Sequence, residues 1–258
     1  MEENFAVSQS ALDLTDSINL PPRPDVLNIF NEEMKSPDPN ADRVVDALRH
    51  DASLYGAVLQ VVNSPFFGLR VTVTSIKQAV MLLGLGRVYS VVQASALRNT
   101  LGKGVNLERF WDSSVEVASL CGLIANELAA PQQSADDAYT LGMFHDAGVP
   151  LMMLAFPKYK RKLQQMISEG VESLADEEVI QFGCNRYHVG YRLAQKWFLP
   201  EYMNQAILYQ VNIDAIFAGT VKVPTNTAEL LAILTLAKRI SESFNRYWRL
   251  DGSEKFKD

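Results

Sequence analysis

The stretch Leu141-Gly-Met-Phe-His-Asp-Ala-Gly-Val-Pro-Leu-Met-Met-Leu154 places an adjacent His145–Asp146 pair at the end of one apolar run. A Gly-Val-Pro break and a second apolar run follow it. An imidazole beside a carboxylate is half of a metal site, and a backbone break lets such side chains face a cavity instead of a packed wall. The same pair, if buried, can also satisfy itself by hydrogen bonding. The rest of the chain has to supply further ligands for the first reading to hold.

Outward from this stretch the sequence reads as helix after helix. Toward the N-terminus, Pro24 suits a helix start because its missing N–H needs no partner there, and Val26, Leu27, Phe30 and Met34 follow at helical spacing. Asn40, Asp51 and Ser75 are candidate caps for three more helices, with Asn63-Ser-Pro-Phe-Phe-Gly68 stopping one of them. A longer helix is expected over Leu85–Leu101, with Val88, Val91, Val92 and Ser95 on one stripe. Asn106 can cap a helix from Leu107 to Ala130. Ser134-Ala-Asp-Asp137 and Ser173-Leu-Ala-Asp176 match capping boxes. Further helices are expected from His188 to Trp197, from Glu201 to Tyr209, and from Asn226 to about Trp248. Only Val71/Val73 and Val221/Val223 alternate like strands, and both are too short to found a sheet. The fold class expected is all-α, without a fixed-period repeat.

A chain of 258 residues with 48% apolar content is long enough for one large domain or two packed lobes. The net charge of −6 argues against a general nucleic-acid surface, which needs a basic face. Cys121 and Cys184 lie far apart without CxxC spacing, as expected of buried small apolar residues in a reducing compartment. No leader-like N-terminus and no apolar run long enough for a bilayer are read, so a cytoplasmic protein without membrane contact is expected.

Several ordered motifs together resemble the HDOD family: Pro21-Pro-Arg-Pro24, Asp51-Ala-Ser-Leu54, Val62-Asn-Ser-Pro-Phe-Phe-Gly68, Leu82-Leu-Gly84, Phe110-Trp111, Leu141-Gly-Met-Phe-His-Asp146, His188-Val-Gly190 and Trp197-Phe-Leu-Pro200. The resemblance runs over residues 15–250. It implies an HD-like helical bundle (104–250) behind an N-terminal helical lobe (15–103). It also implies kinship with metal-dependent HD phosphohydrolases, whose ligand set is H…HD…D, and a regulatory role for the family itself.

That ligand set can be tried on this sequence. His145 and Asp146 fit the central pair. The first histidine would follow Phe110-Trp111 closely, and there the chain reads Asp112-Ser113-Ser114, with Ser113 taken for the position. The last aspartate would lie in the final helix, where Leu236-Ala-Lys238 offers Lys238. A hydroxyl is a poor ligand for a transition metal and an ammonium repels one. The paired histidines of HD-GYP enzymes are absent too, the corresponding helix ending Leu208-Tyr-Gln210. The site is read as degenerate, with no catalytic residue, no metal and no cofactor expected.

Lys238 is expected to stand where the metal was and to pair with Asp146, although a one-turn shift would bring Glu242 inward. His188 and Gln210 are candidate cavity linings, and His188 could equally be an ordinary polar residue at a helix start. Arg23, Arg70, Arg87 and the basic run Lys158–Lys162 are candidate contact groups, or simply solvated charges. The function expected is a non-catalytic signalling module that binds a protein partner or a nucleotide messenger. The alternative is a metal-dependent phosphohydrolase with an altered HD site.

Overall fold

The structure, a computed structural model, describes residues 9–102, 107–128 and 135–250. The helices of the first half are α1 (Gln9–Thr15), α2 (Asp25–Lys35), α3 (Ala41–Arg49), α4 (Ala52–Val62), α5 (Ile76–Leu83), α6 (Leu85–Leu101) and α7 (Glu108–Leu128). Those of the second are α8 (Ala135–Phe144), α9 (Gly148–Ala155), α10 (Tyr159–Ser168), α11 (Leu174–Phe182), α12 (Arg186–Lys196), α13 (Glu201–Leu208), α14 (Ile213–Phe217) and α15 (Thr225–Leu250). No strand occurs among the described residues, so the protein is all-α.

Local chemistry explains most boundaries. Asn40, Asp51, Ser75 and Ser173 each accept a backbone N–H in the first turn of the helix they precede. The caps proposed at Asn106 and Ser134 lie outside the described residues. Asn63 closes α4, and its side-chain amide also grips Val73, accepting from its N–H at 2.7 Å and donating to its C=O at 2.8 Å. Val73 is thus buried without a sheet, because one side chain satisfies both of its backbone groups.

The helix α6 joins two layers of packing. On one side it meets α2, α4 and α5, and on the other α8. Its expected stripe is much too narrow: ten of its residues, Ser90, Gln93 and Ser95 included, are buried. A helix covered nearly all round belongs to the interior, not to a surface. The bundle proper is built on α7 and α8, with α15 and α13 packed against them. Between α7 and α8, Gly142 makes the closest approach: a Cβ there would stand 2.4 Å from Ala118 Cα. A Cβ at Gly122 would lie 2.7 Å from the Phe66 ring and 3.5 Å from Ala135 O, and the pairing of Ala118 with Gly142 and of Gly122 with Ala135 makes the two helices antiparallel.

α1 packs against α12, and the segment after it is tied there by two hydrogen bonds. Lys196 Nζ donates to Leu20 O at 2.6 Å and Trp197 Nε1 to Pro21 O at 3.3 Å. Trp197 is fully buried, edge-on to Phe144 with centroids 5.7 Å apart. The next residue, Phe198, ends α12 with φ at 57°, the left-handed position usually given to glycine. Its N–H bonds Gln195 O and that of Leu199 bonds Ala194 O, both at 3.0 Å, which is the Schellman pattern. The Phe198 ring is 72% exposed, with the Arg23 guanidinium 5.6 Å from its centroid.

Candidate functional site

The His145–Asp146 pair stands in the turn between α8 and α9. The turn is closed by Ala147 N–H to Phe144 O and Val149 N–H to Asp146 O. Gly148 starts α9 there because its Cα lies against the start of α12; a Cβ would fall 1.8 Å from Arg186 O. His145 is buried, and its Nδ1 lies 2.6 Å from Gly142 O. A carbonyl can only accept, so Nδ1 carries a proton and donates. Nε2 is thereby directed to Asp146 Oδ2, 3.4 Å away. A histidine held this way through Nδ1 is how metal ligands are oriented, yet here Nε2 finds a carboxylate.

Two more side chains close the site. Gln210 donates to the His145 carbonyl at 2.8 Å and accepts from Lys238 Nζ at 3.3 Å. Burial alone would raise the Asp146 carboxyl's pKa, but the positive charges of His145 and Lys238 outweigh it and hold the group well below the usual carboxylate range. For Lys238, burial opposes the charge, but Asp146, Tyr187 and Glu242 together favour it more, and its pKa is raised. Asp146 Oδ1 is buried without a hydrogen-bond partner.

A second charged group abuts the first and was not visible in the sequence. Glu178 is fully buried on α11 and takes Arg186 Nε at 2.9 Å, Arg186 Nη2 at 2.5 Å and the Tyr159 hydroxyl at 2.5 Å. Its other oxygen accepts the Arg186 N–H at 3.0 Å. The carboxylate therefore pins the start of α12 to α10 and α11. It also brings the Arg186 charge within electrostatic reach of Asp146.

The structure corrects several expectations. Ser113 is exposed; the buried serine on α7 is Ser114, whose hydroxyl bonds Phe110 O at 2.9 Å. The inward stripe of α7 runs Trp111, Ser114, Ala118, Cys121, and counting from the Gly142–Ala118 contact the antiparallel register sets Ser114 toward the His145 end. Lys238 does not pair directly with Asp146: its hydrogen bond goes to Gln210, and it acts on the carboxylate across a gap. Glu242 is exposed, so the one-turn shift of α15 does not occur.

His188 is spent on a cap: its Nδ1 accepts the Asn185 N–H at 3.2 Å, while Asn185 Oδ1 accepts from His188 N and Tyr187 N. Burial lowers its pKa. Gln210, with Lys238, Thr235 and Arg239, lines a cavity of about 240 Å³. Arg23 is buried, donating to Leu27 O and the Tyr89 hydroxyl, and Arg87 pairs with Asp136 at 2.9 Å. Arg70, Lys158, Lys160 and Arg161 are exposed.

The orphaned Asp146 Oδ1 is the kind of atom a cation would satisfy, so the fit of a metal can be judged on the donors present. Among the described residues no group of three or more His, Cys, Asp or Glu side chains gathers. The remaining charged neighbours, Lys238 and Arg186, are cations. Two donors facing two positive charges do not suit a divalent metal.

The family model described as HDOD domain matches residues 20–213, most of the chain. The chain belongs to the HDOD family. The solved HDOD domain protein of unknown function from Geobacter sulfurreducens is 25% identical, covering 90% of this chain and 78% of that one with a TM-score of 0.71. A structure from Shewanella amazonensis, described as a candidate phosphohydrolase, shares the fold at 24% identity, with coverage of 92% and 81% and a TM-score of 0.72. An uncharacterized protein of Treponema pallidum is 24% identical over 218 residues, 83% of this chain and 42% of that protein. The uncharacterized protein YuxH of Bacillus subtilis is 31% identical over 114 residues, 43% of this chain and 27% of YuxH. The HDOD chain thus spans less than half the length of these curated relatives. No helix among its described residues is long and apolar enough to cross a membrane.

Proposed function

We propose that this HDOD domain is a non-catalytic signal-transduction module that binds a signalling protein or a nucleotide messenger. The observation that carries the reading is the charge balance around His145. A hydrolytic HD centre must hold a metal with an open position to polarise phosphate and generate hydroxide. Here Lys238 and Arg186 supply positive charge to Asp146 from the chain itself, and Gln210 is fixed between the His145 carbonyl and the Lys238 ammonium. The arrangement is a brace between α8, α12 and α15, not a reaction centre. The exposed Lys158, Lys160 and Arg161 of α10 and the exposed Arg70 offer contact groups for an acidic partner or a phosphate.

The test is metal content together with hydrolysis. Purified protein should carry no stoichiometric Mn, Fe or Zn and should not cleave bis-p-nitrophenyl phosphate with added Mn or Fe. Metal-dependent activity that vanishes in His145→Ala would overturn the reading in favour of a phosphohydrolase with an altered site. Contaminating activity would survive that substitution.

A further inference from the structure

Where the N-terminal lobe meets the bundle, α4, α6, α7 and α8 enclose a cavity of about 470 Å³. That volume is in the range of small-molecule sites. Among its lining residues is Ser95 of α6, only 4% exposed, whose hydroxyl has no hydrogen-bond partner. A helical serine or threonine has an easy local solution, donation to the carbonyl four residues earlier. Ser114, Ser119, Thr140 and Thr235 all take it. Ser95 does not, and its unsatisfied hydroxyl belongs to a residue lining the cavity. A buried polar group left unpaired is destabilising, so the position is explained if the partner comes from a ligand.

Arg98, one helical turn along from Ser95, also lines the cavity, as does Asp112. Its guanidinium is loosely held: the nearest carboxylate oxygen, on Asp112, is 3.9 Å away, whereas Arg43, Arg49 and Arg87 hold theirs at 2.7–3.0 Å. Its side chain is 43% exposed and can turn to a better anion. Val61, Ala94 and Met143 supply apolar lining.

We infer that this interlobe cavity binds a small organic anion. Its flat apolar body lies against Met143 and Val61, it accepts a hydrogen bond from Ser95, and its carboxylate or phosphate meets Arg98. The inference is independent of the reading of His145, since none of these residues takes part there.

Calorimetric titration of the full chain with 1-naphthoate, 1-naphthyl phosphate and the neutral 1-naphthalenemethanol tests it. At least one anion should bind saturably, tenfold or more tighter than the alcohol, and the tighter of the two identifies the head group. Arg98→Met should weaken that anion at least tenfold. Ala57→Phe, which fills the cavity from the half-buried face of α4, should abolish binding. Ser95→Ala should weaken binding while leaving the apo melting temperature unchanged or higher, because it removes an orphaned hydroxyl. The inference is wrong if neither anion binds at millimolar concentration, if Arg98→Met and Ala57→Phe leave the affinity unchanged, or if Ser95→Ala lowers the apo melting temperature.

Discussion

Glu178→Ala should be among the most damaging single substitutions in this protein. The native carboxylate is fully buried and accepts four hydrogen bonds, three of them from Arg186, whose side chain is itself only 11% exposed. Removing it leaves a guanidinium inside the protein without its counter-charge. Breaking a buried pair from one side costs about 3–5 kcal/mol. The Tyr159 hydroxyl and the Arg186 N–H also lose their acceptor, which pushes the expected cost toward the upper end. For a chain of this length each kcal/mol lowers the melting temperature by roughly 2–4 °C, so a fall on the order of 10–15 °C is expected. Urea denaturation followed by circular dichroism measures the free energy, and a thermal scan measures the shift. Glu178→Leu combined with Arg186→Met should recover the share due to the unpaired guanidinium, because an apolar pair carries no desolvation cost, while the Tyr159 hydroxyl and the N–H at 186 stay without their acceptor. A loss below about 1 kcal/mol in Glu178→Ala, or a double variant as weak as the sum of the singles, would refute the claim that this pair pins α12.

Gly148→Ala and Gly142→Ala should each destabilise by about 1–3 kcal/mol or more, since the new methyl meets Arg186 O or Ala118 Cα backbone that cannot step aside; denaturation midpoints check this. His188 has a folded-state pKa below its ordinary value of 6.5, so its contribution to stability is present above that pH and lost as pH falls toward the folded value. Protonation also removes the acceptor of the Asn185 N–H, a cap worth roughly 1 kcal/mol, and His188→Gln should flatten that part of the pH–stability profile. Asp146, held below its ordinary 3.8, stabilises the fold above that pH and loses its contribution as pH falls. Lys238→Met should raise the Asp146 pKa, so acid unfolding should begin at higher pH; an unchanged acid midpoint would show that Lys238 exerts no field there.

The helical order was legible because it rests on local chemistry. Asn40, Asp51, Ser75 and Ser173 announce their helices by side chain and spacing, and the structure uses all four as caps. The α6 span was read to the residue, but not its burial on nearly every side, which depends on two neighbouring layers that no periodicity records. Residue type alone does not separate Ser113 from its neighbour, whereas a helical stripe counted from Trp111 selects Ser114 as the inward serine. The Glu178–Arg186–Tyr159 cluster is not legible in the sequence, since its members look like ordinary residues of three separate amphipathic helices. Glu178 closes the acidic run Asp176-Glu177-Glu178, so nothing in its immediate neighbours sets it apart as the buried one. Lys238 could be placed by homology of register, whereas its bond to Gln210 required coordinates.

The left-handed backbone at Phe198 separates two roles that one residue usually combines. The hydrogen bonds that end α12 are made by main-chain atoms alone, so any residue able to adopt φ near 57° can make them. A non-glycine side chain resists that geometry by about 1–2 kcal/mol, and the ring recovers little of it by burial because it stands mostly in solvent. Glycine there should therefore leave the architecture intact. The ring is an outward-facing fixture mounted on a corner that does not need it, and its surface chemistry can be exchanged without renegotiating the fold underneath.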